Sequence, residues 1–319
     1  MPMTTNPLRL VFMGTPNFAV PALGALLDAR HDVVGVFTQP DRRSGRGRRL
    51  SAPPVKEFAE SRDLAMFQPA SLREDAEARG RISDLAPDAI VVAAYGLFLP
   101  EETLAVPQLG CLNIHPSLLP RHRGPSPVAT SILEGDETTG VTIMLLDEGM
   151  DTGPILSQRE TPIGADETCD QLTARLFDVG ANLLTETLDL WSNGSIIPTL
   201  QDDASATVTR RLHRSDGRID WNDTAESIAR RVRAFTPWPG TFTTWDRRTF
   251  KVIRAESVAA TFDVPAGNVV TLSCPDDIGV TTGCGALHLL EVQVEGRRAS
   301  AIKDFVRGYP DFVGSRLDD

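Results

Sequence analysis

Long apolar runs are missing from this 319-residue chain. None approaches the roughly 20 residues that a membrane-spanning helix needs, so no span is expected. Met1 to Met13 holds one Arg and a short apolar stretch, without a long hydrophobic region or a small-residue cleavage site, and a cytoplasmic protein is expected. Cysteine is scarce: Cys111, Cys169, Cys274 and Cys284 are scattered and form no C-x-x-C pair. That argues against a disulfide scaffold and reads them as small buried or inert thiols. The histidines, at positions 31, 115, 122, 213 and 288, make neither H-E-x-x-H nor another ligand spacing, so metal-free chemistry is expected. G-x-G-x-x-G and G-x-x-x-x-G-K-[ST] are also absent, and no acidic residue closes the second predicted strand, which disfavours a nicotinamide dinucleotide.

What is present is an ordinary globular composition, 41 % hydrophobic and 24 % charged, which excludes a disordered or fibrous chain. The length suits about two domains. The net charge of −11 argues against indiscriminate coating of nucleic acid, but the charge is segregated. Asp41 to Arg49 carries Arg42, Arg43, Arg46, Arg48 and Arg49 against one Asp, a net +4. Thr207 to Glu256, which includes Arg210, Arg211 and Arg214, is a net +5, leaving −20 on the rest. An acidic protein with two basic islands suits a polyanion held at one place; the plain alternative is a pair of solvated Arg-rich surfaces.

The first half alternates strand-like and helix-like segments. Leu8–Gly14, Val33–Phe37, Ala65–Phe67, Ala89–Ala94, Gly110–Ile114 and Val141–Leu146 read as strands. Phe18–Ala29, Pro54–Ser61, Leu72–Leu85 and about Thr168–Trp191 read as helices. This alternation predicts an α/β fold with a doubly wound, mostly parallel, Rossmann-like sheet, which binds ligands beyond the carboxyl ends of its strands. Gly45-Arg46-Gly47 reads as a mobile basic loop, and Asn193–Ser205 as a linker. Past it, Ala225–Arg233 suits a helix, and five short segments between Thr241 and Val294 suit a small antiparallel barrel, OB-like. The expected division is residues 1–205 as a catalytic domain with its linker and 206–319 as the barrel domain.

Asn113 and His115 stand two apart near a strand end and so share a face. The stiff loop Pro116-Ser117-Leu118-Leu119-Pro120 follows at once. Asp151, Gly-framed, comes just after the Val141–Leu146 strand and is expected to reach the imidazole from the same sheet edge. An amide donor, a proton-moving imidazole and a carboxylate that orients it suit acyl transfer to an external nucleophile. Taken singly, His115 reads as a packed residue and Asp151 as a turn residue; the combination carries the inference.

At these residues the sequence resembles the folate-dependent formyltransferases. The resemblance rests on VFMGTPNF from Val11, VFTQPDRRSGRGRRL from Val36, VVAAYGLFLP from Val91, LGCLNIHPSLLPRHRG from Leu109, GVTIMLLDEGMDTG from Gly140 and RAFTPWPG from Arg233. Pro116 departs from it, standing where the family often has Gly. The resemblance implies 10-formyltetrahydrofolate as cosubstrate and the α-amino group of methionyl initiator tRNA as acceptor, with Asn113, His115 and Asp151 catalytic. It also implies that Ser117, Leu118, Leu119, Pro120, Tyr95 and Gly96 line the folate pocket. The tRNA would meet Arg46 with its helpers Arg42, Arg43, Arg48 and Arg49, and the Arg210, Arg211 and Arg214 segment of the barrel domain. A monomer is expected. Two other readings keep parts of this picture: the same trio acting on an amino sugar nucleotide, a glycinamide or water, and a non-catalytic RNA-binding protein in which the trio is incidental.

Overall fold

The computed structural model describes residues 7–44 and 49–318. The chain forms two compact units. The first comprises residues up to 127 together with 138–162 and 173–209; the second comprises 128–137, 163–172 and the chain from 210 onward.

In the first unit the strands are β1 (Arg9–Gly14), β2 (Asp32–Phe37), β3 (Arg42–Ser44), β4 (Arg49–Ser51), β5 (Met66–Phe67), β6 (Ala89–Ala93), β7 (Cys111–His115), β8 (Thr138–Leu145) and β9 (Ile155–Pro162). The helices before β7 are α1 (Val20–Asp28), α2 (Pro54–Glu60), α3 (Ala76–Asp84) and α4 (Glu101–Leu104). Then α5 (Pro127–Glu134) and α6 (Cys169–Ser192) run across the unit boundaries. The main sheet has the order β5-β2-β1-β6-β7-β8-β9. Its strands from β5 to β7 are parallel, and β8 and β9 run antiparallel to their neighbours. β1 and β6 are almost wholly buried apolar runs, as strands covered on both faces must be. Helix α3 starts later than its pattern predicts because the Asp75 side chain caps it, accepting from the Ala78 amide at 2.9 Å.

Two differences from the sequence reading bear on function. The flanks of the basic segment are paired: β3 and β4 form a separate two-stranded ribbon, Arg42 opposite Ser51 and Ser44 opposite Arg49, while Gly45-Arg46-Gly47 lies outside the described residues. The segment Asn193–Ser205 is not a free linker, since Thr199 bridges Ile155 and Gln201 is hydrogen-bonded to the first unit's own loops.

The second unit holds α7 (Ala225–Ala234), then β10 (Thr241–Trp245), β11 (Arg248–Val258), β12 (Val269–Thr271), β13 (Ile278–Thr281), β14 (Ala286–Val294), β15 (Ser300–Ala301) and α8 (Ile302–Gly308). The sheet order is β10-β11-β14-β13-β12, with β15 on β14. The curled sheet is completed by the end of the chain: Thr244 bridges Asp318 and Asn268 bridges Arg316, so the last residues lie between β10 and the start of β12. Inside, Trp245 meets Phe250, Phe305, Tyr309 and Phe312 edge-on at centroid distances of 5.1–6.3 Å, an arrangement favoured by ring quadrupoles. Among the described residues no helix is long and apolar enough to cross a membrane.

Candidate active site

Asn113 and His115 sit on β7, opposite Met144 and Thr142 of β8. Ile114, between them, faces the other way and packs where Gly180 of α6 leaves room, a Cβ there meeting Ile114 at 2.7 Å. Asn113 is half-buried, whereas His115 is only 4 % exposed. The chain turns immediately after the ring: the Ser117 amide donates to the His115 carbonyl at 2.9 Å, a γ-turn with Pro116 at its centre. Proline fixes φ near the value that the inverse γ-turn requires, which gives the departure at Pro116 a local rationale.

The loop that follows is tied to the sheet. Thr142 Oγ1 donates to the Ser117 carbonyl at 2.7 Å and accepts from the Leu119 amide at 3.1 Å. Gln158 Nε2 donates to the Leu119 carbonyl at 2.8 Å. Within Ser117–Pro120, Ser117 and Leu119 are buried, and Leu118 and Pro120 keep partial exposure. Tyr95 is buried in the core beside Leu72, Ile82 and Leu99. Burial pushes its hydroxyl pKa up, and its carbonyl, rather than its ring, faces the polar edge. Gly96 is exposed at φ +77°, and a side chain there would collide with Gln39. Of the proposed folate lining, then, Gly96, Leu118 and Pro120 offer surface.

Asp151 reaches the ring by an unexpected route. β8 runs antiparallel to β7, with Leu145 opposite Leu112, so β8 ends beside the start of β7 and not at its carboxyl edge. The connection from Leu146 to Pro154 carries Asp151 back, placing its Oδ2 3.6 Å from His115 Nδ1. Asp151 adopts φ +54°, a left-handed conformation that aspartate tolerates better than most side chains. The same carboxylate oxygen accepts the Gly124 amide at 2.8 Å. Gln201 Nε2 donates to the backbone carbonyls of Asp151 and Gly153 at 2.9 and 2.7 Å, and Gln201 Oε1 accepts from Arg123 Nε at 2.9 Å.

On its other side the ring presents Nε2 at 3.0 Å to the His122 carbonyl. A carbonyl only accepts, so Nε2 carries the proton there, and Nδ1 is the nitrogen that faces Asp151. Burial pushes the His115 pKa below the ordinary imidazole value, and the Asp151 carboxylate pulls against that shift. The ring is neutral at pH 7 and gains a stabilising partner when a proton arrives at Nδ1.

Sequence reasoning missed the groups that hold this geometry: Thr142, Gln158, Gln201 and the strip Thr207–Thr209. His122 donates its amide to Thr207 Oγ1 at 2.8 Å, and the Arg123 amide and carbonyl pair with the Thr207 carbonyl and Thr209 amide at 2.9 and 2.7 Å. Thr142 lies in the stretch quoted from Gly140, and His122 to Gly124 in the one quoted from Leu109, without a role assigned there; no motif marks Gln158, Gln201 or Thr207–Thr209.

The basic residues are distributed unevenly. Arg42 is exposed at the start of β3, Arg43 and Arg49 contribute backbone to the ribbon, and Arg46 and Arg48 lie outside the described residues. Arg210 is engaged by Asp216 through two contacts of 2.7 and 2.9 Å, and the guanidinium holds the Asp216 carboxyl down to about 2. Arg211 and Arg214 are exposed.

Comparison with known proteins agrees with this layout. A family profile for formyl transferase matches residues 8–188, and one for the formyl transferase C-terminal domain matches 211–310. The methionyl-tRNA formyltransferase of Roseiflexus sp. (strain RS-1) is 49 % identical, over 98 % of this chain and 96 % of that one. The chain belongs to the methionyl-tRNA formyltransferase family. Another member, from Pseudoalteromonas translucida (strain TAC 125), is 43 % identical over 97 % of this chain and 96 % of its own. Among solved structures, the sugar 3N-formyl transferase WlaRD, crystallised in the presence of dTDP and 5-N-formyl-THF, shares the fold with a TM-score of 0.65 at 18 % identity, covering 92 % of this chain and all of that one. HypX from Aquifex aeolicus in complex with tetrahydrofolic acid matches at a TM-score of 0.64 and 17 % identity, covering 97 % of this chain and 48 % of HypX.

Proposed function

We propose that this member of the family moves the formyl group of 10-formyltetrahydrofolate onto the α-amino group of methionyl initiator tRNA. The observation that carries the catalytic assignment is a buried imidazole on β7, sharing a face with Asn113 and flanked by Asp151. The acceptor follows from near-full-length similarity to enzymes of that name.

The amine attacks the formyl carbon, the new C–N bond forms, the bond to the folate nitrogen breaks, and the proton of the attacking amine passes to that nitrogen. An α-amino group titrates near 7.7–8.0, so an appreciable fraction is already neutral at pH 7 and no strong base is needed. Asn113 offers its amide to the developing oxyanion. His115 takes up and returns the proton, with Asp151 steadying the charged ring at Nδ1. Because Nε2 already serves the His122 carbonyl, a hydrogen bond from His115 to the oxyanion requires the ring to leave one of its two acceptors. The 3.6 Å gap to Asp151 is longer than a hydrogen bond and shortens when the ring becomes charged.

Gly96 and the Ser117–Pro120 loop receive the folate. Residues 1–205 carry the chemistry, and 206–319 hold the tRNA backbone through Arg211 and Arg214, with Arg210 contributing once Asp216 is displaced. The Arg42–Arg49 segment, Arg46 foremost, meets the acceptor end. The chain works as a metal-free monomer in the cytoplasm.

The deciding experiment offers charged initiator tRNA, uncharged tRNA and free methionine together with a formyl-folate donor. Formyl label is expected on the charged tRNA alone. Label on free methionine with none on the tRNA overturns the acceptor.

A further inference from the structure

β3 and β4 are three residues each and, among the described residues, pair only with one another. A two-stranded ribbon this short does not hold its own direction in water. Its orientation is set where its feet join the body, and both feet meet one polar cluster. Asp41 immediately precedes β3, and Lys56 stands on α2, which follows β4. The Lys56 ammonium lies 2.9 and 3.0 Å from the two Asp41 carboxylate oxygens and donates to Gln68 Oε1 at 2.8 Å. Gln68 Nε2 donates to Asp41 Oδ1 at 2.8 Å and to the Gln39 carbonyl at 3.0 Å. Each ammonium proton has an acceptor, and both ends of the Gln68 amide are engaged. The side chains of Lys56 and Asp41 are 18 % and 24 % exposed, so solvent screens this pair less than a surface ion pair.

The cluster continues inward. Gln39 Nε2 donates to the Tyr95 carbonyl at 2.9 Å, the Gln39 amide donates to Thr15 Oγ1 at 3.3 Å, and that hydroxyl donates to the same Tyr95 carbonyl at 3.0 Å. An unbroken chain of hydrogen bonds therefore links the feet of the ribbon to the carboxyl ends of β1 and β6. Gly96 adopts φ +77°, a left-handed conformation that favours glycine, and the Gln39 side-chain amide sits in the space a Cβ would take.

We propose that Lys56, Asp41 and Gln68 are positioning residues for the tRNA: their clamp ties the two feet of the arginine-bearing ribbon together and aims it relative to the edge that carries Asn113 and His115. This rests on the reading that the ribbon touches the tRNA. Without the ammonium, Asp41 and Gln68 lose their shared donor and the ribbon loses its direction, while the sheet beneath keeps its own.

The test is steady-state formylation of methionyl initiator tRNA by Lys56→Met, which keeps the aliphatic stem. KM for tRNA is expected to rise about tenfold, the weight of one charge-assisted hydrogen bond. Both kcat and KM for the formyl-folate donor should stay within about twofold, because the reacting groups are untouched. Gln68→Leu should give the same split, and the double variant no more than either single one, since the members act as a unit. Trypsin cleavage between Arg42 and Arg49 should be faster in Lys56→Met without tRNA present, reporting the loosened feet directly. A control pairing Arg42→Ala with Arg46→Ala separates the two levels. If neither that control nor Lys56→Met moves KM for tRNA, the role of the ribbon in tRNA binding falls, and the clamp with it. If the arginine control raises KM and Lys56→Met does not, the clamp alone is overturned. Equal losses in kcat and both KM values overturn it too, and should Lys56→Met fail to fold, Gln68→Leu decides.

Discussion

His115 is held between two oxygens with only one proton to give, and burial decides its charge. Its lowered pKa means that below the ordinary value of 6.5 the folded chain binds fewer protons than the unfolded chain. Stability from the neutral ring is therefore complete above pH 6.5 and is lost as the pH falls through the lower, folded value. Burial lowers His31 in the same direction, so the comparison that isolates His115 is wild type against His115→Asn. Urea midpoints measured on both sides of pH 6.5 should fall more steeply with acid in the wild type. For catalysis, losing an oxyanion donor costs on the order of 2.7 to 4 kcal/mol, so Asn113→Ala should lower kcat by about 10² to 10³ with tRNA affinity nearly unchanged. His115→Ala should likewise spare affinity; near-wild-type turnover in either variant removes that residue from the mechanism. Tyr95 makes a contrasting case. Its buried hydroxyl has no hydrogen-bond partner among the described residues, and its ring contributes packing. Tyr95→Phe relieves that desolvation, and a melting temperature equal to or above wild type is expected, with KM for folate unmoved.

At the level of elements, the site depends on a loop and a strip of extended chain more than on the strand that displays the ring. Gly124 has φ +99°, and a Cβ there would stand 3.0 Å from the Thr209 carbonyl oxygen and 3.3 Å from Met150 Sδ. Its amide is also the donor that fixes Asp151. Gly124→Ala should therefore cost about 1 to 3 kcal/mol of stability from backbone strain, and kcat should fall as Asp151 swings away. Calorimetry and steady-state kinetics on one preparation check both. Retained kcat would mean that the Gly124 amide does not fix the carboxylate. Gln201 acts on the same loop from the far side through two backbone carbonyls, so its replacement by Ala should reduce kcat without changing KM for tRNA.

Across the whole molecule, charge and closure are the features that matter. An acidic chain concentrating cations in two segments should bind tRNA through released counterions, with the logarithm of affinity falling linearly against the logarithm of salt. A salt-independent affinity would remove the electrostatic account. In the second unit the curled sheet relies on its final residues: Leu317 is buried, its amide donates to the Gly267 carbonyl at 2.8 Å, and Thr244 exchanges hydrogen bonds with Asp318 at 3.2 and 3.0 Å. Leu317→Ala should cost about 2 to 5 kcal/mol in urea denaturation, the range for a buried leucine. A cost near zero would show that the barrel does not need its last strand-like segment.

The sequence by itself determined the parallel strands β1, β2, β5, β6 and β7 and the helices α1 to α3, though not α4 or the β3–β4 ribbon, because buried strands such as β1 and β6 are continuous apolar runs between turn residues and carry their own signal. It also placed Asn113 and His115 on one face, since alternation along a strand is a local property, and the resemblance marked Asp151. Tertiary structure decided how Asp151 arrives, because strand direction at β8 depends on where the connection through α5 returns the chain, which no local pattern records. It likewise decided that Asn193–Ser205 supports the site: Gln201 and Thr199 are polar residues in turn-rich chain, indistinguishable from a linker until their partners are in place. The neutral state of His115 belongs to the same class. An imidazole in a sequence has only its ordinary affinity for a proton, and the removal of water by the surrounding chain is what moves it.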